Sequence, residues 1–151
     1  MPSGARCVKL REPFTYFVDR SLGREIVVEA LRAAGQDVHA HDDYFPQNTP
    51  DAEWLVEVGS RGWVVLTKDK NIRVNEIERL ALTRANVACI MLGRGDLTAA
   101  AMAQIFIDAL PLIQRVLRRF ALPLAASLSS GKSLRVLLTD GEWLKPPREV
   151  K

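Results

Sequence analysis

The sequence predicts a three-layer α/β/α protein built around a central parallel β-sheet. Short apolar runs alternate with amphipathic segments along the 151 residues. This alternation is typical of parallel sheets, because each crossover helix must pack back over the sheet. Hydrophobic residues make up 48% of the chain and charged residues 26%, the balance of an ordinary globular protein. We therefore expect one domain over residues 1–151, with its core at 14–120 and a β-hairpin or tail at 121–151.

Two strands and a helix are predicted at the start of the chain. Residues 14–18 and 37–41 are short runs typical of strands, and Gly35 is placed to end the helix between them. A polar, proline-containing loop follows, and Thr49 is expected to cap a helix that begins near Pro50. The residues expected on the buried face of the first helix are Leu22, Ile26, Ala30 and Leu31.

The pattern continues with strands at 63–67 and 87–92. The helix before the first of these strands is expected to end at Gly62, and the helix between them near Asn86. The residues expected to be buried on the earlier helix are Trp54, Leu55 and Val58. Those expected on the inner face of the later helix are Ile77, Leu80, Ala81 and Arg84.

A long helix is predicted over residues 98–120. Pro111 should break or kink it, because proline lacks a backbone donor. Apolar runs on both sides of residues 129–133 then predict a C-terminal hairpin or edge ribbon. The helix residues expected to face inward are Leu110, Ile113, Val116 and Leu117.

Composition and charge narrow the class of protein. No apolar stretch reaches the roughly 18 residues of a membrane span, and the first residues lack the apolar core of a secretory signal, so we expect a cytoplasmic protein with no membrane partner. Cys7 and Cys89 have no zinc-like spacing and are expected to be free thiols. The formal net charge is +3, and Arg115, Arg118 and Arg119 lie close together, which weakly favours a polyanionic partner.

Aspartates fall at the predicted carboxyl ends of three strands. Asp19 follows the first strand, Asp69 follows the third, and Asp51 opens a helix. Asp42 and Asp43 both lie just beyond the second strand; at least one is expected to be an ordinary turn residue, and Asp43 is favoured as the functional one. Ligands of open α/β sheets bind at this edge, so the convergence predicts a site. Crowded carboxylates stay ionised when a hard divalent cation such as Mg²⁺ or Mn²⁺ binds them. Such a cation promotes phosphodiester hydrolysis, which makes cleavage of nucleic acid the expected chemistry.

Each acidic residue also has a structural interpretation. Asp19 can cap a helix, and Asp51 suits the positive end of a helix dipole. Asp69 lies between two lysines and can be a solvated turn residue. His39 and His41 alternate on a strand in a way that permits metal ligation, although packing or surface roles are favoured over zinc.

Four runs in this order and spacing resemble the PIN-like nuclease family related to VapC-type toxins: FVDRSLG, HDDYFPQNTPDAEWL, GWVVLTKDKNIRVNEIE and GDLTAAAMAQ. The likeness covers residues 14–120. It implies a PIN-like fold and Mg²⁺- or Mn²⁺-dependent endonucleolytic cleavage of RNA. Asp19, Asp51 and Asp69 are carried over as metal ligands, with Asp43 and Glu78 as secondary candidates.

The resemblance also implies a toxin whose partner is a small antitoxin protein, and a homodimer is compatible with it. One departure is the run Asn75-Glu76-Ile77-Glu78, where a proline is expected after the asparagine. Two alternatives stay open. The first is a catalytically silent PIN-like module that binds RNA or protein. The second is a phosphoacceptor receiver domain, disfavoured because the strand at 87–92 is followed by Gly93 and not by lysine.

Overall fold

A computed structural model describes residues 10–68, 75–93 and 95–151. Its centre is one seven-stranded sheet with the order β2-β1-β3-β4-β5-β6-β7. Strands β1 to β5 run parallel, and β6 and β7 are antiparallel to their neighbours. The strands are β1 Thr15–Val18, β2 Asp37–Ala40, β3 Val64–Lys68, β4 Ala88–Leu92, β5 Leu124–Leu128, β6 Leu134–Thr139 and β7 Glu142–Val150.

Helices cover both faces of the sheet, which confirms the predicted three layers. Helices α1 (Ile26–Ala33) and α4 (Ala99–Arg119) pack against each other on one face, over a large aliphatic core. Helices α2 (Asp51–Ser60) and α3 (Glu76–Ala85) pack together on the other face, over a smaller core rich in aromatic side chains. Burial of both sheet faces explains why the strands read as nearly continuous apolar runs.

The strand order creates a crevice at β1 and β3. The chain leaves β1 through α1 to β2, and then crosses the opposite face through α2 to reach β3. These two crossovers diverge at the carboxyl ends of β1 and β3, where Val18 lies beside Leu66. Such a reversal of strand order leaves room for a ligand, so the fold itself marks this edge as the place for a site.

The predicted inner face of the first helix is partly wrong. A short 3₁₀ helix, Arg20–Leu22, comes first, and Gly23 with φ of +92° separates it from α1. The spacing that placed Leu22 and Ile26 on one face assumed an unbroken helix. Ile26 is therefore 54% exposed, and the buried residues of α1 are Val27, Val28 and Leu31.

The predicted inner face of α3 is also largely wrong, although Ala81 packs partly buried against the smaller core as expected. Ile77 is 80% exposed and Leu80 is 48% exposed, whereas Leu82 and Ala85 are buried. The predicted set that includes Ile77 and Leu80 and the set that includes Leu82 and Ala85 both have helical spacing. Periodicity alone does not show which of the two sets is buried. Packing against α2 decides between them, because Gly59 of α2 approaches the backbone of Ala85 closely.

Helix α4 continues through Pro111, so the break expected as one of two possibilities does not occur. The proline is exposed, and all four residues expected to face inward are buried. In the described part of the chain, α4 is the one helix long and apolar enough to cross a membrane by length and composition alone. Half of its apolar window is buried in the protein, which is the pattern of a core helix.

The segment after α4 extends the sheet. The expected hairpin is present as β5 and β6, joined around residues 129–133. However, β5 also pairs in parallel with β4, and β7 adds an edge strand that was not predicted. Two prolines within β7, Pro146 and Pro147, obscured it, because proline is disfavoured in all but edge strands.

Candidate active site

Asp19 is buried at the carboxyl end of β1, with 3% of its surface exposed. Its Oδ2 accepts hydrogen bonds from the Thr67 hydroxyl at 2.7 Å and the Ser21 hydroxyl at 2.8 Å. Its Oδ1 accepts from the Arg20 backbone N–H at 2.8 Å, so the carboxylate caps the 3₁₀ helix. The Ser21 hydroxyl also accepts the backbone N–H of Lys68 at 3.0 Å. These bonds tie the acid to the end of β3.

Asp51 is the first residue of α2, as predicted, but Thr49 does not cap this helix. The Thr49 hydroxyl instead donates to the carbonyl of Pro46 at 2.8 Å, and Pro50 occupies the capping position. The Asp51 carboxylate accepts the indole N–H of Trp54 at 3.0 Å. Because Trp54 is buried, this bond fixes Asp51 beside the aromatic core under α2.

A narrow cleft of about 30 Å³ opens between α2, α3 and the carboxyl ends of the central strands. It has room for a water molecule or an ion. Its polar residues are Asp51, Thr67, Lys68 and Glu78. Thr67 belongs both to the cleft wall and to the hydrogen bonds of Asp19, and therefore joins the two acidic groups.

Asp51 and Glu78 thus line the same cleft as Thr67, the residue whose hydroxyl bonds Asp19. Asp69 lies outside the described residues. Asp43 is exposed at the end of a second 3₁₀ helix, His41–Asp43, and does not line the cleft. Within residues 10–68, 75–93 and 95–151, no three His, Cys, Asp or Glu side chains form a group that could hold a metal ion.

The two histidines pack among aromatic rings. His39 stacks on Trp63 with ring centres 4.1 Å apart and shares a 2.8 Å hydrogen bond with Tyr44. His41 is buried and lies edge-on to Trp54. These contacts agree with the packing interpretation favoured over zinc.

Sequence reasoning missed the hydroxyls of Ser21 and Thr67. Ser21 stands two residues after Asp19, a spacing that lets one short polar side chain reach another around a tight turn. Thr67 is a buried polar residue at the end of an otherwise apolar strand. A lone hydroxyl at a strand end is a weak signal until its partner is known.

The fold and this edge of the sheet define a class of protein. A family model described as "PIN like domain" matches residues 14–94, more than half of the chain. The chain belongs to the PIN-like domain family.

One curated relative supports the same assignment. The chain is 32% identical over 125 residues to a Mycobacterium tuberculosis protein named "Putative ribonuclease VapC45". The match covers 80% of this chain and 90% of that protein. No solved structure matches the chain significantly.

Proposed function

We propose that this protein is an endoribonuclease that hydrolyses RNA phosphodiester bonds with the help of Mg²⁺ or Mn²⁺. One observation carries the proposal: Asp51 and Glu78 line a cleft with Thr67, whose hydroxyl holds the buried Asp19. The name of the curated relative supports RNA as the substrate. Asp19, Asp51 and Asp69 are the proposed metal ligands, with Glu78 as a further acid at the cleft.

The donor set suits a hard divalent cation. The described acids supply only carboxylate oxygens, which Mg²⁺ and Mn²⁺ prefer over the softer ligands that select zinc. Carboxylates at one cleft repel each other, and a cation between them removes that repulsion. When bound, the metal would stabilise negative charge on the phosphate oxygens during hydrolysis.

The chain's own residues position the acids and the substrate. Thr67 and Ser21 orient the Asp19 carboxylate, and Trp54 orients Asp51. The Lys68 side chain lines the same cleft and can attract a phosphate. Because the cleft wall is mostly apolar, charges there interact more strongly than in bulk solvent.

A cleavage assay with a matched control tests the proposal. Purified protein should cut single-stranded RNA with Mg²⁺ or Mn²⁺ and stop with a chelator. Asp51→Asn should abolish cleavage at an unchanged melting temperature, because the amide keeps the shape and removes the charge. Glu57→Gln, on the same helix but outside the cleft, should keep the parent's activity. Cleavage by Asp51→Asn at the parent's rate would remove Asp51 from the mechanism.

A silent module is the second candidate, because the Asp19 carboxylate is buried and already accepts three hydrogen bonds as a helix cap. In that case the parent binds RNA or a protein without cutting RNA under any metal condition. The melting temperature of the protein should then be the same with and without millimolar Mg²⁺ or Mn²⁺. A nuclease site predicts a rise, because a ligand of the folded state alone stabilises it.

We also propose that the protein acts in the cytoplasm as the toxin of a toxin–antitoxin pair. The likeness to a protein with a VapC name supports this biological role. Induced expression in a bacterial host should arrest growth, and Asp51→Asn should relieve the arrest. Co-expression of the product of a neighbouring gene should relieve it for the parent. Normal growth on induction of the soluble parent would contradict the toxin role.

A further inference from the structure

Asp42 joins two arginines beside the candidate active site. Its carboxylate lies in the second 3₁₀ helix and is 25% exposed. Oδ1 pairs with Arg20 Nε at 3.3 Å, and Oδ2 pairs with Arg24 Nε at 2.9 Å. The ring Nδ1 of buried His41 lies 3.4 Å from Oδ1. The two guanidinium groups and this carboxylate together carry one net positive charge.

The two arginines differ in what else they do. Arg20 also donates from Nη1 to the backbone carbonyl of Gln47 at 3.1 Å, so it holds the loop before α2. Arg24 is 63% exposed, and Asp42 is its partner among the described residues. Its guanidinium therefore keeps donors accessible to solvent in a fixed orientation. A planar fork of donors suits the paired oxygens of a phosphate.

The arginine pair is joined to the turn that positions Asp19. Arg20 directly follows Asp19, and its backbone N–H donates to the Asp19 carboxylate. The positive charge is therefore delivered to the carboxyl edge of the sheet by the same turn that positions the buried acid. Arginines near an acidic site can neutralise the neighbouring phosphates of a bound polyanion, and contacts of this kind supply much of the affinity for nucleic acid.

We propose that Arg20 and Arg24, oriented by Asp42, form a phosphodiester-binding site that holds the RNA strand next to the cleft. This inference rests on the proposed function, because it assigns the path of the RNA relative to the acids. Arg24 is the diagnostic residue, since Arg20 has a second role in holding the loop. Asp42 is a positioning residue and does not touch the RNA.

Binding measured as a function of salt tests the site. The probe is a fluorescent single-stranded RNA of mixed sequence, kept intact by a chelator and checked on a gel. Loss of one phosphate contact should lower the slope of log affinity against log salt by about 0.7. Arg24→Gln should show this loss and bind several-fold more weakly. Arg61→Gln is the control, because Arg61 is 42% exposed and pairs with Glu57 near the far end of α2.

Asp42→Asn separates an oriented site from simple charge attraction. The variant gains one positive charge, so charge attraction alone predicts tighter binding of RNA. An oriented site predicts weaker binding, because both guanidinium groups lose their anchor. A thermal melt shows whether each variant is folded. Asp42→Glu, which keeps the negative charge, should recover part of the affinity for RNA that Asp42→Asn loses.

The outcomes distinguish this site from the nuclease proposal. If the parent never cuts RNA but Arg24→Gln lowers affinity and slope, the phosphate site stands and the nuclease proposal falls. If the parent cuts RNA and Arg24→Gln matches Arg61→Gln in both quantities, the phosphate site is overturned and the nuclease proposal stands. A parent that neither binds nor cuts RNA overturns both.

Discussion

The two faces of the sheet are built differently. The face under α1 and α4 buries a continuous aliphatic core, with Phe106 and Ile113 fully enclosed. The face under α2 and α3 has a smaller core and an open cleft with acidic residues. Among the described residues, its helices leave three large apolar side chains exposed, at Val56, Ile77 and Leu80, against one, Ile26, on the helices of the first face. The first face supplies most of the apolar burial, and the second carries the candidate chemistry.

This division has a physical reason. Side chains on the two sides of a cleft do not pack against each other, so the helices that flank it bury less apolar surface. Burial on the opposite face compensates, because folding free energy depends on total burial and not on its location. The site can therefore vary without unfolding the protein, provided that the α1/α4 face stays intact.

The largest expected effect is a core truncation on the α1/α4 face. Phe106→Ala should lower the free energy of unfolding by about 3–5 kcal/mol, because a fully buried ring leaves a cavity. Leu82→Ala, at the cleft wall, should cost about 2 kcal/mol, because its neighbours can relax into the cleft. Urea denaturation measures both. If both variants lost the same free energy of unfolding, the proposed difference between the two faces would be wrong.

The next effect concerns the contact between α2 and α3. A Cβ at Gly59 would collide with the backbone carbonyl oxygen of Ala85. Gly59→Ala should therefore cost about 1–3 kcal/mol by pushing the helices apart, and should reduce cleavage by separating Asp51 from Glu78. Gly131→Ala is the control, because its added Cβ would meet its nearest neighbour at an ordinary 3.6 Å. A Gly59→Ala variant as stable as Gly131→Ala would show that the helices adjust freely.

A smaller effect is expected at the hydroxyl that joins the two acidic groups. Thr67→Val keeps the shape but removes one donor to Asp19, which should cost about 0.5–1.5 kcal/mol, because the Ser21 hydroxyl still donates to the same oxygen. Cleavage should fall through kcat with little change in KM, because the acid loses orientation and not substrate contact. Thr67→Ser should restore most of the activity. An unchanged kcat in Thr67→Val would show that Thr67 does not position Asp19 for cleavage.

The smallest effect appears only at alkaline pH. Burial raises the pKa of the Tyr16 hydroxyl above its ordinary value of 10.0, against a weaker opposing effect of its hydrogen bond with Gln114. As the pH rises above 10, the Tyr16 hydroxyl loses its proton in the unfolded chain before it does so in the folded protein. The stability that the protonated hydroxyl contributes is therefore fully present below pH 10 and is lost as the pH rises through the pKa of the folded state. Tyr16→Phe should flatten the loss in melts above pH 10. A phenylalanine variant that loses stability as steeply as the parent would assign the loss to other groups.

Much of the fold was predictable because its signals are local. Apolar strand runs, helix ends such as Asn86 and the alternation of strands with helices depend on neighbours in the sequence. Errors arose where two local patterns competed, as at Ile77 and Leu82 on α3. They also arose where one glycine, Gly23, divided a periodic segment.

The candidate site was predictable only in part. Asp19 and Asp51 were predicted because strand ends and helix starts can be located from sequence. The sequence could not predict how the adjacent acids Asp42 and Asp43 differ. In the structure Asp42 pairs with Arg20 and Arg24, whereas Asp43 is exposed to solvent. The orientation of a side chain in a turn depends on what lies across from it.

By itself, the sequence determined the α/β class, the places where acidic residues follow strands, and the aromatic and apolar residues available to build two cores. The tertiary structure decided which of these residues meet. The Thr67 hydroxyl reaches Asp19 across 48 positions of sequence only because β1 lies beside β3. Local propensity acts over a few residues, whereas the order of strands follows from how every helix covers the sheet, so the contacts that build the site were decided last.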